Sequence, residues 1–291
     1  MTAEDHARLQ ASVRQRLLNI AQRDNTAFQR VLTRYALERF LYRLGRSPHR
    51  SAFMLKGAFL FYAWQHEVGR PTRDLDLLGH GTPDIRRLEG VIADIAAVAV
   101  DDDGMDFLPD TIRGEAIREA SLYDGVRIKL VATLGRTRMP VQIDIGFGDA
   151  AGSSAVELAY PTLLEQDAPR ILTYRPEFVA AEKLEAMVAL GDINTRLKDY
   201  YDLLRMNRTM ALPREDLIEA LRATFSRRGT EIPTEIPPGL GDEFADVSRS
   251  RMWDAFIARN DLDAGGASLV DVVQELRSQY WPLIQAARRT E

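Results

Sequence analysis

Two aspartates, Asp74 and Asp76, stand two residues apart in the stretch Arg70-Pro-Thr-Arg-Asp-Leu-Asp-Leu-Leu78. On a strand, both carboxylates point to one face while Leu75 and Leu77 point to the other. Two carboxylates held side by side repel unless a cation sits between them. Mg²⁺, or Mn²⁺ in its place, suits such a pair: Mg²⁺ takes one or two carboxylates, several waters and substrate phosphate oxygens. Asp144 repeats the pattern in Val141-Gln-Ile-Asp-Ile145, with Val141, Ile143 and Ile145 on the opposite face. A neighbouring strand can bring it beside the pair, and three carboxylates suffice for two metals in an in-line displacement at phosphorus. The plainer alternative is a solvated edge on which Asp74 pairs with Arg73 or Arg70, since a bare Asp-x-Asp is common.

Two further stretches bear on that chemistry. In Met54-Leu-Lys-Gly-Ala-Phe-Leu60, Gly57 falls at a predicted helix start, 17 residues before Asp74. A glycine there lets phosphate approach backbone N–H groups where the helix dipole also favours anions; its plainer use is close helix packing. Residues 181–206 hold Lys183 in a helix whose apolar face is Leu184, Met187 and Val188, followed by Arg196, Asp199 and Asp202 at spacings of three. Such residues share a helix face. They either shape a nucleotide site, with Lys183 on the phosphates, or form a surface ladder of ion pairs worth a few tenths of a kcal/mol each, about 0.2–0.5; spacing does not decide between these.

The elements that must position these side chains follow from periodicity. Helices are predicted over 5–21, 26–45, 52–65 and 83–99, with a strand at 72–78. Gly125–Leu134 and Pro140–Asp149 alternate as strands and read as a hairpin through Gly135-Arg-Thr-Arg138. From 176 on the pattern is helical: 176–190, 195–207, 213–227, 241–259 and 268–288, with a proline-rich loop at 231–241. The fold class is α+β: a small mixed-sheet domain with N-terminal helices over 1–175, then a helical domain over 176–291 that contributes to the active site.

Composition limits the rest. The chain has 291 residues, 45% hydrophobic and 28% charged, with no cysteine and four scattered histidines. That is a soluble globular profile without disulfides or a thiolate metal site. No apolar run is long enough to span a membrane, and the opening residues lack the basic and apolar regions of a secretion signal, so a cytoplasmic location is expected. The net charge of -5 argues against nonspecific coating of nucleic acid. Residues 1–50 nonetheless carry ten arginines against four acids (Glu4, Asp5, Asp24, Glu38), a local net of +6, whereas 101–110 carry five aspartates and no base. A polyanionic partner would meet the first region and avoid the second. Only four of the 38 basic residues are lysines (Lys56, Lys129, Lys183, Lys198), and three of these fall inside the stretches above.

Taken together, Leu55–Phe61, Arg70–Leu78, Val141–Asp149 and Glu182–Leu203 resemble, in this order, the AbiEii-type nucleotidyltransferase toxins, a branch of the polymerase-β-like nucleotidyltransferases. The resemblance spans about residues 55–204 and is most specific in Asn194-Thr-Arg-Leu-Lys-Asp-Tyr-Tyr-Asp202. It implies an enzyme that uses an NTP and Mg²⁺ or Mn²⁺, acts as the toxin of a toxin–antitoxin pair with a cognate antitoxin, and adds NMP to RNA, above all the 3′ end of tRNA. By likeness Gly57 matches the nucleotide-loop glycine, Asp74 and Asp76 the metal carboxylates, Asp144 the third-strand acid, Lys183 the phosphate-contacting lysine and Asp199 the Lys-Asp motif; Arg196 shapes the site. One departure is Ala58, where many relatives in the wider superfamily have serine; backbone N–H groups, with Lys56 ahead of the glycine, would then serve the phosphate.

Thr72 is expected on the face of Asp74, where a phosphate would bring about -1.5 to -2 charge to the metal seat and compete with a triphosphate. Three rival functions remain: nucleotidylation of a protein hydroxyl, a glycosyltransferase using Asp-x-Asp to hold Mn²⁺ and a sugar nucleotide, and a nucleotide- or RNA-binding module without catalysis.

Overall fold

The structure, a computed structural model, describes residues 2–65, 70–117, 125–148 and 155–288. These form two compact units, one over residues up to 148 together with 155–173, the other from 174 onward. Among the described residues no helix is long and apolar enough to cross a membrane.

The first unit is built on one mixed sheet of seven strands: β1 (Phe53–Lys56), β2 (Asp74–Gly79), β3 (Asp106–Ile117), β4 (Gly125–Leu134), β5 (Thr137–Phe147), β6 (Val156–Ala159) and β7 (Arg170–Thr173), in the spatial order β3-β4-β5-β2-β1-β7-β6. β4 and β5 pair antiparallel from Gly125↔Gly146 to Leu134↔Thr137, so the hairpin turn is only Gly135-Arg136, and Thr137 and Arg138 belong to the strand. Gly135 has φ +60°, the left-handed conformation that a two-residue hairpin requires. Their alternation separates two faces. Val126, Ile128, Leu130, Val141, Ile143 and Ile145 are all buried, while Arg127, Lys129, Gln142 and Asp144 take the other face.

The apolar face is covered by helices. α1 (Ala3–Arg23) opens on a capping box in which Thr2 and Asp5 satisfy each other's backbone N–H groups, and it buries Val13, Leu17 and Ala21 at helical spacing. α2 (Phe28–Arg46) packs on β5 and β7, and α4 (Ile85–Ala96), capped by Asp84, packs on β3. A Cβ on Gly45 would stand 2.6 Å from the Arg170 carbonyl oxygen, so glycine is what lets α2 lie this close to β7.

Three expectations change here. The predicted helix over 52–65 is a strand, a 3₁₀ turn (Gly57–Phe59) and then α3 (Leu60–Gln65). Phe53, Met54 and Leu55 are buried on both sides as a strand between β2 and β7, and a short apolar run with no alternation fits either element. The acid-rich loop at 101–110 already enters β3 at Asp106. Nor are the basic and acidic regions set against different partners, because they bind each other. Arg43 grips buried Asp103 through two hydrogen bonds of 2.7 and 3.1 Å, Tyr35 donates to the Asp103 carbonyl, and His6 lies 2.7 Å from Asp102.

The second unit is helical: α5 (Pro176–Leu190), α6 (Leu197–Thr209), α7 (Arg214–Arg228), α8 (Val247–Asn260) and α9 (Leu269–Arg288). α8 starts later than predicted because 238–240 and 242–245 are 3₁₀ turns and Asp246 caps the helix proper. Gly239 fits under α5, where a Cβ would meet the Met187 carbonyl oxygen at 2.5 Å, and Tyr200 donates to the Gly239 carbonyl at 2.6 Å.

Candidate active site

β2 lies inside the sheet with β1 on one side and β5 on the other, which is why the acid pair is held on a fixed surface. Asp74 and Asp76 are half-buried on one face; Leu75 and Leu77 are fully buried on the other. Strand register puts Lys56 opposite Asp76 on β1, Asp144 opposite Asp76 on β5, Arg127 opposite Asp144 on β4 and Glu115 opposite Arg127 on β3. Two acids therefore sit at the middle of a cross-strand row, each with a cation beyond it. The neighbouring row sets Gln142 opposite Asp74 and Lys129 opposite Gln142.

Asp144 does not join the pair as a free third ligand. Arg127 holds it with two parallel hydrogen bonds, Nε to Oδ1 at 2.8 Å and Nη2 to Oδ2 at 2.7 Å, and Gln142 Nε2 donates to Oδ1 at 3.2 Å. This hydrogen bond to Asp144 is the main cause that raises the Arg127 guanidinium pKa, with nearby Asp74 adding to it. Among the described residues no group of three or more His, Cys, Asp or Glu side chains is disposed to hold a metal ion. The register of β4 on β5 is what sets Arg127 against Asp144. Arg127 is the site residue that sequence reasoning passed over; the alternation Val126-Arg127-Ile128-Lys129 already put it on the polar face.

Gly57 abuts the acid pair directly. It adopts φ +73°, and a Cβ there would stand 2.1 Å from Asp76 Oδ2 and 2.7 Å from Asp76 Cγ. Both the backbone conformation and the space exclude a side chain. The expected helix start is in fact the first residue of the 3₁₀ turn that links β1 to α3, and Ala58 beside it is buried. Lys56 reaches over β5, its Nζ 3.6 Å from where a Cβ on Gly146 would be. Thr72 precedes β2 instead of lying on it, and its hydroxyl donates to the Asp74 carbonyl at 3.2 Å, so it does not share the strand face of Asp74. The donor set that remains, two hard and half-buried carboxylates beside a glycine turn, fits a cation that keeps waters and takes phosphate oxygens; it is not an all-protein cage.

In the second unit, Lys183 of α5 donates to Asp199 at 2.6 Å and to Asp202 at 2.8 Å, both on α6. Arg196 Nε donates to the other Asp199 oxygen at 2.7 Å. The side chains of Asp199 and Asp202 are 2% exposed and that of Lys183 12%. These residues are therefore not a surface ladder. Burial acts to raise the Asp199 pKa, but the charges of Lys183 and Arg196 outweigh it and hold the carboxyl at about 2. The helix-face spacing of Asp199 and Asp202 is as read from sequence; that both converge on one lysine from the preceding helix is a tertiary fact.

The fold and the family of the chain can now be stated. The structure matches that of MenT4, a nucleotidyltransferase toxin from Mycobacterium tuberculosis H37Rv, with a TM-score of 0.50 at 17% identity over 96% of this chain and 99% of that one. It also matches JHP933 from Helicobacter pylori, with a TM-score of 0.47 at 14% identity over 90% of this chain and 93% of that one. A search of curated proteins finds no match. Residues 39–274 match the family described as nucleotidyl transferase AbiEii toxin, type IV toxin–antitoxin system, and the chain belongs to that family. It is thus an NTP-dependent nucleotidyltransferase of a toxin–antitoxin system, which implies an antitoxin partner. The sugar-transferase reading and the reading without catalysis fall with that membership.

Proposed function

We propose that this enzyme transfers NMP from an NTP to an RNA acceptor, the 3′ end of tRNA, using Mg²⁺ or Mn²⁺ held by Asp74 and Asp76. The acceptor oxygen forms a bond to the α-phosphorus, the bond to pyrophosphate breaks, and the hydroxyl proton leaves to solvent. The observation that carries the reading is the fit of Gly57 against Asp76. A turn whose first residue has no side chain lies against a carboxylate of the acid pair, which would let a polyphosphate meet backbone N–H groups beside a cation held by that pair.

The bound cation supplies charge neutralisation on the phosphates and a lowered pKa at the attacking hydroxyl. Lys56 and the glycine turn bind the triphosphate, and Arg127 keeps Asp144 fixed beside Asp76. In the helical unit, the family likeness assigns Lys183 to the phosphates, and Asp199, which Lys183 and Arg196 both hydrogen-bond, anchors it.

An anionic acceptor is supported by a second feature of the first unit. Arg46, Arg50 and Arg170 surround a concavity of about 390 Å³ that Tyr42 also lines. Their carboxylate partners, Asp167 and Glu157, are largely exposed. Exposed pairs of this kind contribute little, so RNA phosphates can replace them.

Incubation with each α-labelled NTP, Mg²⁺ and total RNA or total cell protein tests the reading. Label on tRNA that disappears with Asp76→Ala is the expected result. Label on protein alone would overturn the acceptor, and no label on either would overturn the activity.

A further inference from the structure

Arg127 on β4, Asp144 on β5 and Asp76 on β2 stand opposite one another in a single cross-strand row. Neighbouring carboxylates on one sheet face call for positive charge beside them. A divalent cation is one way to supply it. At Asp144 a guanidinium supplies it instead, and the hydrogen bonds leave that carboxylate little to offer a metal. Its Oδ1 accepts from Arg127 Nε at 2.8 Å and from Gln142 Nε2 at 3.2 Å. Its Oδ2 accepts from Arg127 Nη2 at 2.7 Å and lies 3.4 Å from the same Gln142 nitrogen. A carboxylate has about four lone-pair sites, and these donors take most of them.

Arg127 is committed in its turn. Glu115, its opposite number on β3, is already held by Lys129, whose Nζ lies 2.7 Å from Oε1. Turning from Asp144 to Glu115 would therefore mean competing with a second cation. The guanidinium is a flat fork that is always charged, and its two parallel bonds fit a carboxylate as an ammonium would not. A metal that took Asp144 would have to displace both bonds, and Mg²⁺ gives up its own waters reluctantly. The charge of Arg127 also reaches the acid pair, since Asp74 adds to the stabilisation of the guanidinium. Arg127 thus sits where a cation shared by Asp144 and its neighbours would act.

We propose that Arg127 takes the place of a second divalent cation: the sheet seats a single Mg²⁺ or Mn²⁺ on Asp74 and Asp76, and the guanidinium locked on Asp144 supplies the other positive charge of the site. This rests on the metal reading given above and adds to it a count of one, with the residue that enforces that count. Arg127 acts through Asp144 and is a positioning residue. Without it, Asp144 would stand beside Asp76 as a third carboxylate, the set that two metals need.

Titration of the full chain with Mn²⁺, followed by electron paramagnetic resonance, counts the bound ions directly; the Asp76→Ala variant sets the background of ions bound elsewhere on the surface. The parent should bind one Mn²⁺ above that background. Arg127→Met keeps the apolar stem, removes the fork and frees Asp144, so it should bind a second Mn²⁺, seen as a further equivalent and as broadening from the nearby ion. Arg127→Met/Asp144→Asn removes both partners and should return the count to one, with an affinity within about threefold of the parent's. Two Mn²⁺ in the parent, a single Mn²⁺ in folded Arg127→Met, or a larger loss of affinity in the double variant would each overturn the proposal. If Arg127→Met does not fold, the parent's count and the double variant's affinity still decide. Two Mn²⁺ in the parent would leave the metal reading standing, whereas a parent no different from Asp76→Ala would overturn both.

Discussion

The acids of the sheet and the acids of the helical unit are the same residue type at similar spacing, yet their surroundings oppose each other. Asp74 and Asp76 stay half-buried in a row whose charges are set by strand register, with Lys56 opposite Asp76 and Arg127 on Asp144, on a face that a cation can reach. Asp199 and Asp202 are nearly sealed, and Lys183 answers both. A half-buried carboxylate on a sheet face remains within reach of a ligand; a carboxylate buried with its own cation contributes mainly to fixing two helices and to orienting that cation. Under the proposed function, motifs of equal prominence in the sequence thus differ in how far their carboxylates can be approached.

The largest test of this contrast is Asp76→Ala. Transfer should fall by about four powers of ten, roughly 5 kcal/mol of barrier, with an unchanged urea midpoint. Full activity in the folded variant would break the comparison from the sheet side. Asp199→Ala breaks it from the other side, because Lys183 and Arg196 both lose the carboxylate that they share. Unfolding in urea should then become easier by roughly 3–5 kcal/mol; a variant as stable as the parent would remove Asp199 from the structural group.

Gly57→Ala should cut transfer by about a hundredfold, because the methyl group displaces the Asp76 carboxylate, with only ~1 kcal/mol lost from stability. Steady-state rates and melting curves on one preparation separate these effects. The pH dependence sharpens the contrast further. Asp199 is held at about 2 in the folded chain and has an ordinary value near 3.9 when unfolded. Its contribution, roughly 2–3 kcal/mol, is therefore fully present above about pH 4 and is lost as pH falls towards 2. Urea midpoints measured from pH 6 down to 2 should drop less steeply for Asp199→Asn than for the parent. The smallest effect is expected at the arginine concavity, where Arg50→Ala should lower the dependence of RNA binding on log salt by about one unit.

Much of this molecule was legible before any coordinates. α1, α2 and α5 through α7 follow from apolar spacing over many turns, and the β4–β5 hairpin from strict alternation around Gly135. β1 was not, because three consecutive buried residues show no period, and β3 was masked by the aspartates that precede it. Those aspartates looked like a free charged loop only because their partners, Arg43 and His6, lie some sixty to a hundred residues away in the chain.

The sequence alone determined that Asp74 and Asp76 share a strand face, that Asp199 and Asp202 share a helix face, and that a glycine precedes both pairs. These are properties of backbone period, set within a few residues. Only the tertiary structure decided the hairpin register that sets Arg127 against Asp144, that Gly57 lies against Asp76 and that Lys183 is enclosed between two carboxylates. Each of these depends on which strands and helices become neighbours and in what register, and that is a choice made by the burial of the whole apolar surface, not by any one segment.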